Sequence, residues 1–347
     1  MPARSGRSSG VTLHDVAREA GVSLATASRS LNGSQRKVAE EYRVRVLAAA
    51  QRLGYSPNLS AQAVAKGSTS TVALIVSDIA DPYFSTIASG VAGAAEELGL
   101  VVTMAVTGRD PARELAVVRA LRGARPRVMI LAGSRFAGED EREALVAELR
   151  SFEDAGGRVV LISQGGLPFP TVVLDNRAGA RALAEALVEQ GYRRFGVVSG
   201  SPAILTSHDR VQGFREGLEA HGLSLADELV VEAPFSRDGG FDGARALLAA
   251  HRDEIDLVFA VSDVMAMGVS SALREAGLEP GVDVGVAGFD DIPTVRDVHP
   301  ALTTVAVPLR ELGERSLAVA LGDDDAPADP VATSVVLRAS TPGPRAT

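Results

Sequence analysis

The sequence contains no cysteine and no tryptophan. Without thiols there is no disulfide staple, thiolate zinc site, iron–sulfur cluster or cysteine nucleophile, and the composition suits a reducing compartment. Aromatic residues make up only 4% of the 347 residues, whereas the hydrophobic share of 46% and the charged share of 23% sit near globular averages. Wholesale disorder and a fibrous repeat are thereby excluded. No apolar run approaches the ~18 residues that a membrane helix needs. The first ten residues, MPARSGRSSG, carry basic groups but lack the apolar stretch of a secretory signal. These absences lead us to expect a cytoplasmic protein with no membrane partner, built from two to three compact units at ~150 residues each.

Motifs for chemistry are missing too. No G-x-G-x-x-G follows an early strand, and Lys66-Gly67 stands in the wrong order for a phosphate-binding loop. H-E-x-x-H does not occur, and the G-x-S-x-G string Gly6-Arg7-Ser8-Ser9-Gly10 lies in the N-terminal tail with no apolar strand before it, so it is no nucleophile elbow. Ser207-His208-Asp209 has the residue types of a catalytic triad, but adjacent positions cannot supply its geometry. His14, His208, His221, His251 and His299 lack ligand spacing. No catalytic residue, metal or cofactor is expected, which leaves an α/β enzyme as the weaker rival reading.

Charge of one sign is scarce at one end of the chain and abundant at the other. The net charge is −9, yet residues 1–67 hold ten basic groups against four acidic ones, a balance of +6 that leaves −15 for the rest. A small basic segment on a large acidic body predicts a separate nucleic-acid-binding module. Leu13, Val16, Ala17 and Ala20 share a helical face, and Thr12 and Asp15 have capping-box spacing. Gly21-Val22-Ser23 supplies a turn and an N-cap for a second helix over Leu24–Leu31, with Ala27 and Leu31 inward. A third helix over Glu40–Leu53 offers Val44, Leu47, Ala48 and Leu53 to a miniature core, and Gly54 and Pro57 end it. This is a helix-turn-helix pattern. The second helix leaves Leu24, Ala25, Thr26, Ser28, Arg29 and Asn32 outside the core. Short side chains let it lie close to base edges, where Arg29 can fork onto guanine and Leu24 and Ala25 can touch thymine methyls. Thr26 and Ser28 suit phosphates. For Ser23 and Asn32, capping competes with base contact.

Val11-Thr12-Leu13-His14-Asp15-Val16-Ala17, Gly21-Val22-Ser23, Thr26, Ser28-Arg29, Leu31-Asn32 and Leu53-Gly54-Tyr55-Ser56-Pro57-Asn58 together resemble the headpiece of the lactose-repressor (LacI/GalR) family of bacterial transcription regulators. The resemblance adds Thr12, Ser23, Tyr55, Asn58, Ala61 and Val64 to the expected DNA-contacting residues. It also implies that the stretch from Asn58 to Gly67 is a hinge that pairs with its dimer mate and wedges an apolar side chain into the minor groove. Gln62 stands where Arg is common, and Val64 where the wedge leucine is expected. Valine predicts a shallower wedge and weaker bending.

From Thr71 onward, short apolar runs alternate with helical stretches: 71–76, 100–106, 127–132 and 158–162, then 195–199, 229–231, 257–260 and 284–287. Such alternation predicts two doubly wound parallel-sheet lobes with ligand sites at the carboxyl ends of the strands. Asp78 to Phe84 (DIADPYF), Asp175-Asn176-Arg177-Ala178-Gly179, Arg210-Val211-Gln212-Gly213-Phe214, Ser262 to Gly268, Gly288-Phe289-Asp290-Asp291 and Leu302-Thr303-Thr304-Val305 are similar to the family's periplasmic-binding-protein-like core. Chain crossings between lobes are then implied near Val173, near Ala301 and within 322–330. The implied effector contacts are Asp81, Phe84, Ser163, Arg210, Phe235, Ser262 and Asp290. Phe84 as a core residue, Asp263 as a helix cap, and Asp290 with Arg210 as an inter-lobe ion pair are the plainer alternatives. Ser163 replaces a common Asp and Ser262 a frequent Asn, which leaves the ligand class open around a sugar or sugar derivative.

The expected organisation is a tail (1–10), a small all-α helix-turn-helix headpiece (11–57), a hinge (58–70) and an α/β effector-binding core (71–341). Its N-lobe takes about 71–173 plus 303–328, and its C-lobe about 174–302 plus 329–341. The expected function is that of a homodimeric repressor on an inverted-repeat DNA operator, controlled allosterically by a small, carbohydrate-like effector. A periplasmic-type solute-binding protein is the rival.

Overall fold

The computed structural model describes residues 11–32, 38–55, 69–136, 140–322 and 330–344. The chain divides into two compact units, Met1–Thr69 and Ser70–Thr347.

In the first unit, α1 (Leu13–Ala20) opens with a capping box, in which Thr12 Oγ1 accepts from the Asp15 N–H while Asp15 accepts from the Thr12 N–H at 3.0 Å. Gly21, at φ +63°, ends the helix in the left-handed conformation that glycine adopts without penalty. Ser23 Oγ then accepts from the Thr26 N–H at 3.1 Å and starts α2 (Leu24–Asn32). A third helix, α3 (Glu40–Leu53), completes the unit. Val16, Ala17, Ala20, Ala27, Val46, Ala49 and Ala50 form its core, flanked by Leu13, Val22, Leu31, Leu53 and Tyr55.

One expectation is corrected here. Val44 and Leu47 are exposed, and α3 turns Val46, Ala49 and Ala50 inward instead. Both stripes have helical spacing, but the alanine-rich one lets α3 approach α1 and α2 more closely. Arg45 fixes the rotation, because its guanidinium donates to the Ala20 carbonyl at the C-terminal end of α1, where cations are favoured.

The second unit contains two parallel sheets. In the first lobe β1 (Thr71–Val76), β2 (Val101–Val106), β3 (Val128–Ala132), β4 (Arg158–Ser163) and β5 (Thr171–Val173) lie in the order β2-β1-β3-β4-β5. In the second, β6 (Phe195–Ser199), β7 (Val230–Glu232), β8 (Leu257–Ala260) and β9 (Gly285–Ala287) lie in the order β7-β6-β8-β9. The central strands read as unbroken apolar runs because helices cover both faces: every residue of β3, β6 and β8 is buried. The edge strand β2 has mostly exposed or half-buried residues.

Helices α4 (Pro82–Glu97), α5 (Pro111–Ala124) and α6 (Asp140–Asp154) belong to the first lobe, and α7 (Asn176–Glu189), α8 (Leu205–Glu219), α9 (Arg237–His251) and α10 (Asp263–Glu275) to the second. The chain then returns through β10 (Thr304–Ala306) to α11 (Leu309–Leu321), which packs on α4 and β4, and β11 (Ser334–Val336) pairs antiparallel with β10. Glycines allow paired helices to touch backbone to backbone. A Cβ on Gly313 would stand 2.2 Å from the Ile87 carbonyl oxygen, and one on Gly268 2.0 Å from that of Arg237. No helix among the described residues is long and apolar enough to cross a membrane.

Candidate functional site

The headpiece presents one face of α2. Leu24, Ala25 and Arg29 are exposed and Thr26 and Ser28 half-buried, while Ala27 and Leu31 hold the helix to the core. Ser23 is an N-cap, and its Oγ also lies 2.8 Å from Thr26 Oγ1. Thr12 is exposed but engaged in its capping box, and Tyr55 packs half-buried against the headpiece core. The backbone of Asn32 closes α2. Its side chain lies outside the described residues, as do Asn58, Ala61 and Val64.

A cleft of about 550 Å³, partly open to solvent, lies between the two lobes. Asp81 follows β1 and caps α4: its Oδ1 accepts from the Tyr83 N–H at 3.0 Å, with Pro82 at the first helical position. Phe84, one residue on, lines the cleft with its ring edge-on to Tyr83. From the second lobe come Arg210 on α8, Phe235 after β7 and Asp290 after β9.

Arg210 is the hub of this wall and is only 2% exposed. Its Nε donates to Asn176 Oδ1 (2.8 Å), Nη1 to the Val261 carbonyl (2.7 Å) and Nη2 to Asp290 Oδ1 (2.8 Å). Its guanidinium also stacks on the Phe289 ring at 3.8 Å. The Arg210–Asp290 pair therefore lies within the second lobe and does not tie one lobe to the other. Burial pushes the Asp290 carboxyl up to about 7 against the opposing pull of Arg210. Burial also raises Asp81, with the Tyr83 N–H and Arg109 opposing.

Two expectations change at the start of α10. Ser262 does not line the cleft; it is buried as the N-cap, its Oγ accepting from the Met265 N–H. With that role taken, Asp263 is not the cap. Its carboxylate turns inward, where Oδ2 accepts from the Ile292 N–H at 2.9 Å and Oδ1 lies 2.6 Å from Thr304 Oγ1. Ser163 ends β4, and its side chain lies outside the described residues.

Other cleft residues escaped the sequence reading. Arg109 follows β2, with Nη1 3.4 Å from Asp78 and Nη2 3.4 Å from Asp81. The strand-end rule that found Asp81 applies equally to this loop and could have found it. Ser134, Gln164 and Thr206 form a latch across the cleft: the Thr206 N–H donates to Ser134 Oγ (3.0 Å) and Gln164 Nε2 to Thr206 Oγ1 (2.7 Å). Beside them the Leu205 N–H donates to the Arg135 carbonyl at 3.0 Å, and Phe136 bridges Ile204. No sequence pattern marks these residues, because the contact is between lobes.

Comparison with known proteins places these features together. Residues 12–58 match the family described as bacterial regulatory proteins, lacI family, and residues 184–341 match the periplasmic binding protein-like domain. The chain is 31% identical over 317 residues to the HTH-type transcriptional regulator GalR of Escherichia coli (strain K12), covering 90% of each chain. Among solved structures, the Lac repressor dimer bound to operator and the anti-inducer ONPF is 25% identical with a TM-score of 0.80, covering 95% of this chain and 99% of that one. A complex of the transcriptional regulator CelR with cellobiose is 30% identical with a TM-score of 0.68 over the same shares.

Proposed function

The chain belongs to the lacI family of bacterial regulatory proteins and is a transcriptional regulator, not an enzyme; on that premise we propose that it is a cytoplasmic repressor that binds an inverted-repeat operator as a homodimer and answers to a small carbohydrate in the inter-lobe cleft. The proposal rests above all on one observation: a chain whose basic end exposes Leu24, Ala25 and Arg29 on one helix also carries a two-lobed cleft lined by carboxylates, guanidinium groups and phenyl rings. Arg29 reads a guanine in the major groove, and Leu24 and Ala25 contact thymine methyls. Thr12, Ser23, Thr26, Ser28, Asn32, Tyr55, Asn58 and Ala61 hold the backbone or neighbouring bases, and Val64 is the shallow minor-groove wedge. In the cleft, Asp81, Arg210 and Asp290 hydrogen-bond ligand hydroxyls, and Phe84 and Phe235 stack on the apolar face of a ring.

Exposed Leu98, Val101 and Met104, on and just before the edge strand β2, support pairing with a second copy. The Lac repressor and CelR structures, which hold operator DNA and cellobiose respectively, support the two ligand classes. Effector binding shifts operator affinity by a coupling of ~1–3 kcal/mol that acts reciprocally.

Selection of bound duplexes from a random library, followed by footprinting, tests the DNA half. Two symmetric half-sites a whole number of helical turns apart are expected. A single asymmetric half-site would refute the dimeric reading. A thermal-shift screen of sugars, followed by gel shift with any hit, tests the effector half.

A further inference from the structure

Arg109 is placed as few surface arginines are. Gly108 (φ +69°) and Arg109 (φ +59°) are successive left-handed residues, a conformation that is unfavourable for a side chain with a Cβ. Such backbone persists where its surroundings hold it and is concentrated at ligand clamps. The turn sends the guanidinium into the cleft, 5.8 Å from the Phe84 ring of the first lobe and 5.1 Å from the Phe235 ring of the second. Arg109 therefore faces aromatic groups of both lobes.

Its hydrogen-bonding capacity is largely unused. A guanidinium has five N–H donors, and among the described residues Arg109 directs two of them at Asp78 Oδ2 and Asp81 Oδ2, both at a long 3.4 Å. Arg210, by contrast, spends its donors at 2.7–2.8 Å on protein acceptors. Three of the five Arg109 N–H donors meet no acceptor among the described residues and can serve a ligand.

We propose that Arg109 is the specificity-determining residue of the cleft, and that it selects an uncharged polyhydroxylated ring over a phosphorylated or carboxylated one. The inference rests on the cleft being the effector site. A phosphate or carboxylate brought to Arg109 meets the carboxylates of Asp78 and Asp81 at the same guanidinium. Three carboxylates (Asp78, Asp81 and Asp290) already face two guanidinium groups (Arg109 and Arg210), and Arg210 is bonded to Asp290. A hydroxyl fits this pattern because it both accepts and donates. Its oxygen takes an N–H from Arg109 and its proton goes to Asp81, so adjacent hydroxyls thread between the two groups. The apolar face of the ring then meets Phe84 or Phe235.

The test is isothermal titration of the full chain near neutral pH with D-glucose, D-galactose, D-ribose and cellobiose, and with glucose 6-phosphate and glucuronate as charged counterparts. The expected result is that a neutral sugar binds, that its charged counterpart binds roughly tenfold weaker or worse, and that Arg109→Met weakens the neutral sugar by roughly tenfold or more. Asp81→Asn narrows the gap between neutral and charged ligands. Arg109→Lys keeps the charge but loses the fork; it falls between wild type and Arg109→Met, and it carries the test if the methionine variant does not fold. An unchanged Kd in both Arg109 variants would remove Arg109 as the determinant while leaving the cleft a sugar site. Equal affinity for glucose and glucose 6-phosphate would overturn the selectivity. If no sugar of either kind binds, the carbohydrate reading of the cleft falls and the inference falls with it.

Discussion

Asp263→Asn isolates one buried proton. Asp263 is wholly enclosed at the start of α10, between the Ile292 N–H and the Thr304 hydroxyl. Asp290 and Asp291 are its acidic neighbours; Asp291 is held by Arg296 and Arg338, while Asp263 has no cation of its own among the described residues. Burial, with a further push from the charge of Asp290, carries its carboxyl from 3.8 to about 8. Between these two values the folded chain keeps a proton that the unfolded chain has released. Stability therefore falls as pH rises from about 4 to about 8, and levels off above that. At ~1.4 kcal/mol per pH unit the fall has a ceiling of ~6 kcal/mol, and Asp290, at about 7, adds to it in the same direction. Asparagine keeps an acceptor for Ile292 and offers an N–H to Thr304 Oγ1, but has no proton to lose. Urea unfolding followed by circular dichroism, since the chain lacks tryptophan, reads the effect near pH 5.5, 7 and 8.5. We expect the stability of the variant relative to wild type to rise by up to ~3–4 kcal/mol between pH 5.5 and pH 8.5. Equal destabilisation at every pH, or greater loss at high pH, would mean that the folded chain needs a charged carboxylate there, and the reasoning would fail.

Other substitutions address other levels of the molecule. Arg29→Ala is expected to cost ~1–3 kcal/mol of operator affinity and to relax base preference at one position of each half-site, measured by gel shift on a mutated operator series. Thr12→Ala removes the hydroxyl half of the capping box, the acceptor for the Asp15 N–H and the donor to Asp15 Oδ2, while the residue-12 N–H still reaches Asp15; it should lower headpiece stability by ~1 kcal/mol, seen as a lower melting midpoint of α1 amide signals. Gly268→Ala forces a methyl onto the Arg237 carbonyl; a loss of ~1–3 kcal/mol or more is expected in denaturant unfolding, and an unchanged midpoint would show that α9 and α10 separate freely.

The strands of the core were legible because burial on both faces leaves little but aliphatic residues: Val128–Ala132 and Leu257–Ala260 could be little else. The face of α3 was not legible. Val44-Leu47-Ala48 and Val46-Ala49-Ala50 have the same spacing, and only the approach of α1 and α2 decides between them. At the cleft, Asp81 and Phe84 could be found from a strand end followed by proline. The same strand-end rule points to the loop holding Arg109, but the left-handed backbone that aims its side chain into the cleft is not announced by an arginine. Ser262 and Asp263 are both good helix caps, and the choice between them depends on what lies opposite: a polar segment at Ile292 and Thr304 that claims the carboxylate.

The latch between the lobes has a use beyond holding them. Leu205 and Thr206 occupy the first turn of α8, where helical N–H groups have no partner of their own, and their partners come from the opposite lobe, the Arg135 carbonyl and Ser134 Oγ. When the lobes part, these two amides meet water and trade hydrogen for deuterium; when the lobes are shut, they do not. Their exchange rates, set against intrinsic rates for the unprotected peptide, give the free energy of opening directly. The chain thus carries two native isotopic clocks for its own conformational equilibrium, and they run before any ligand has been identified.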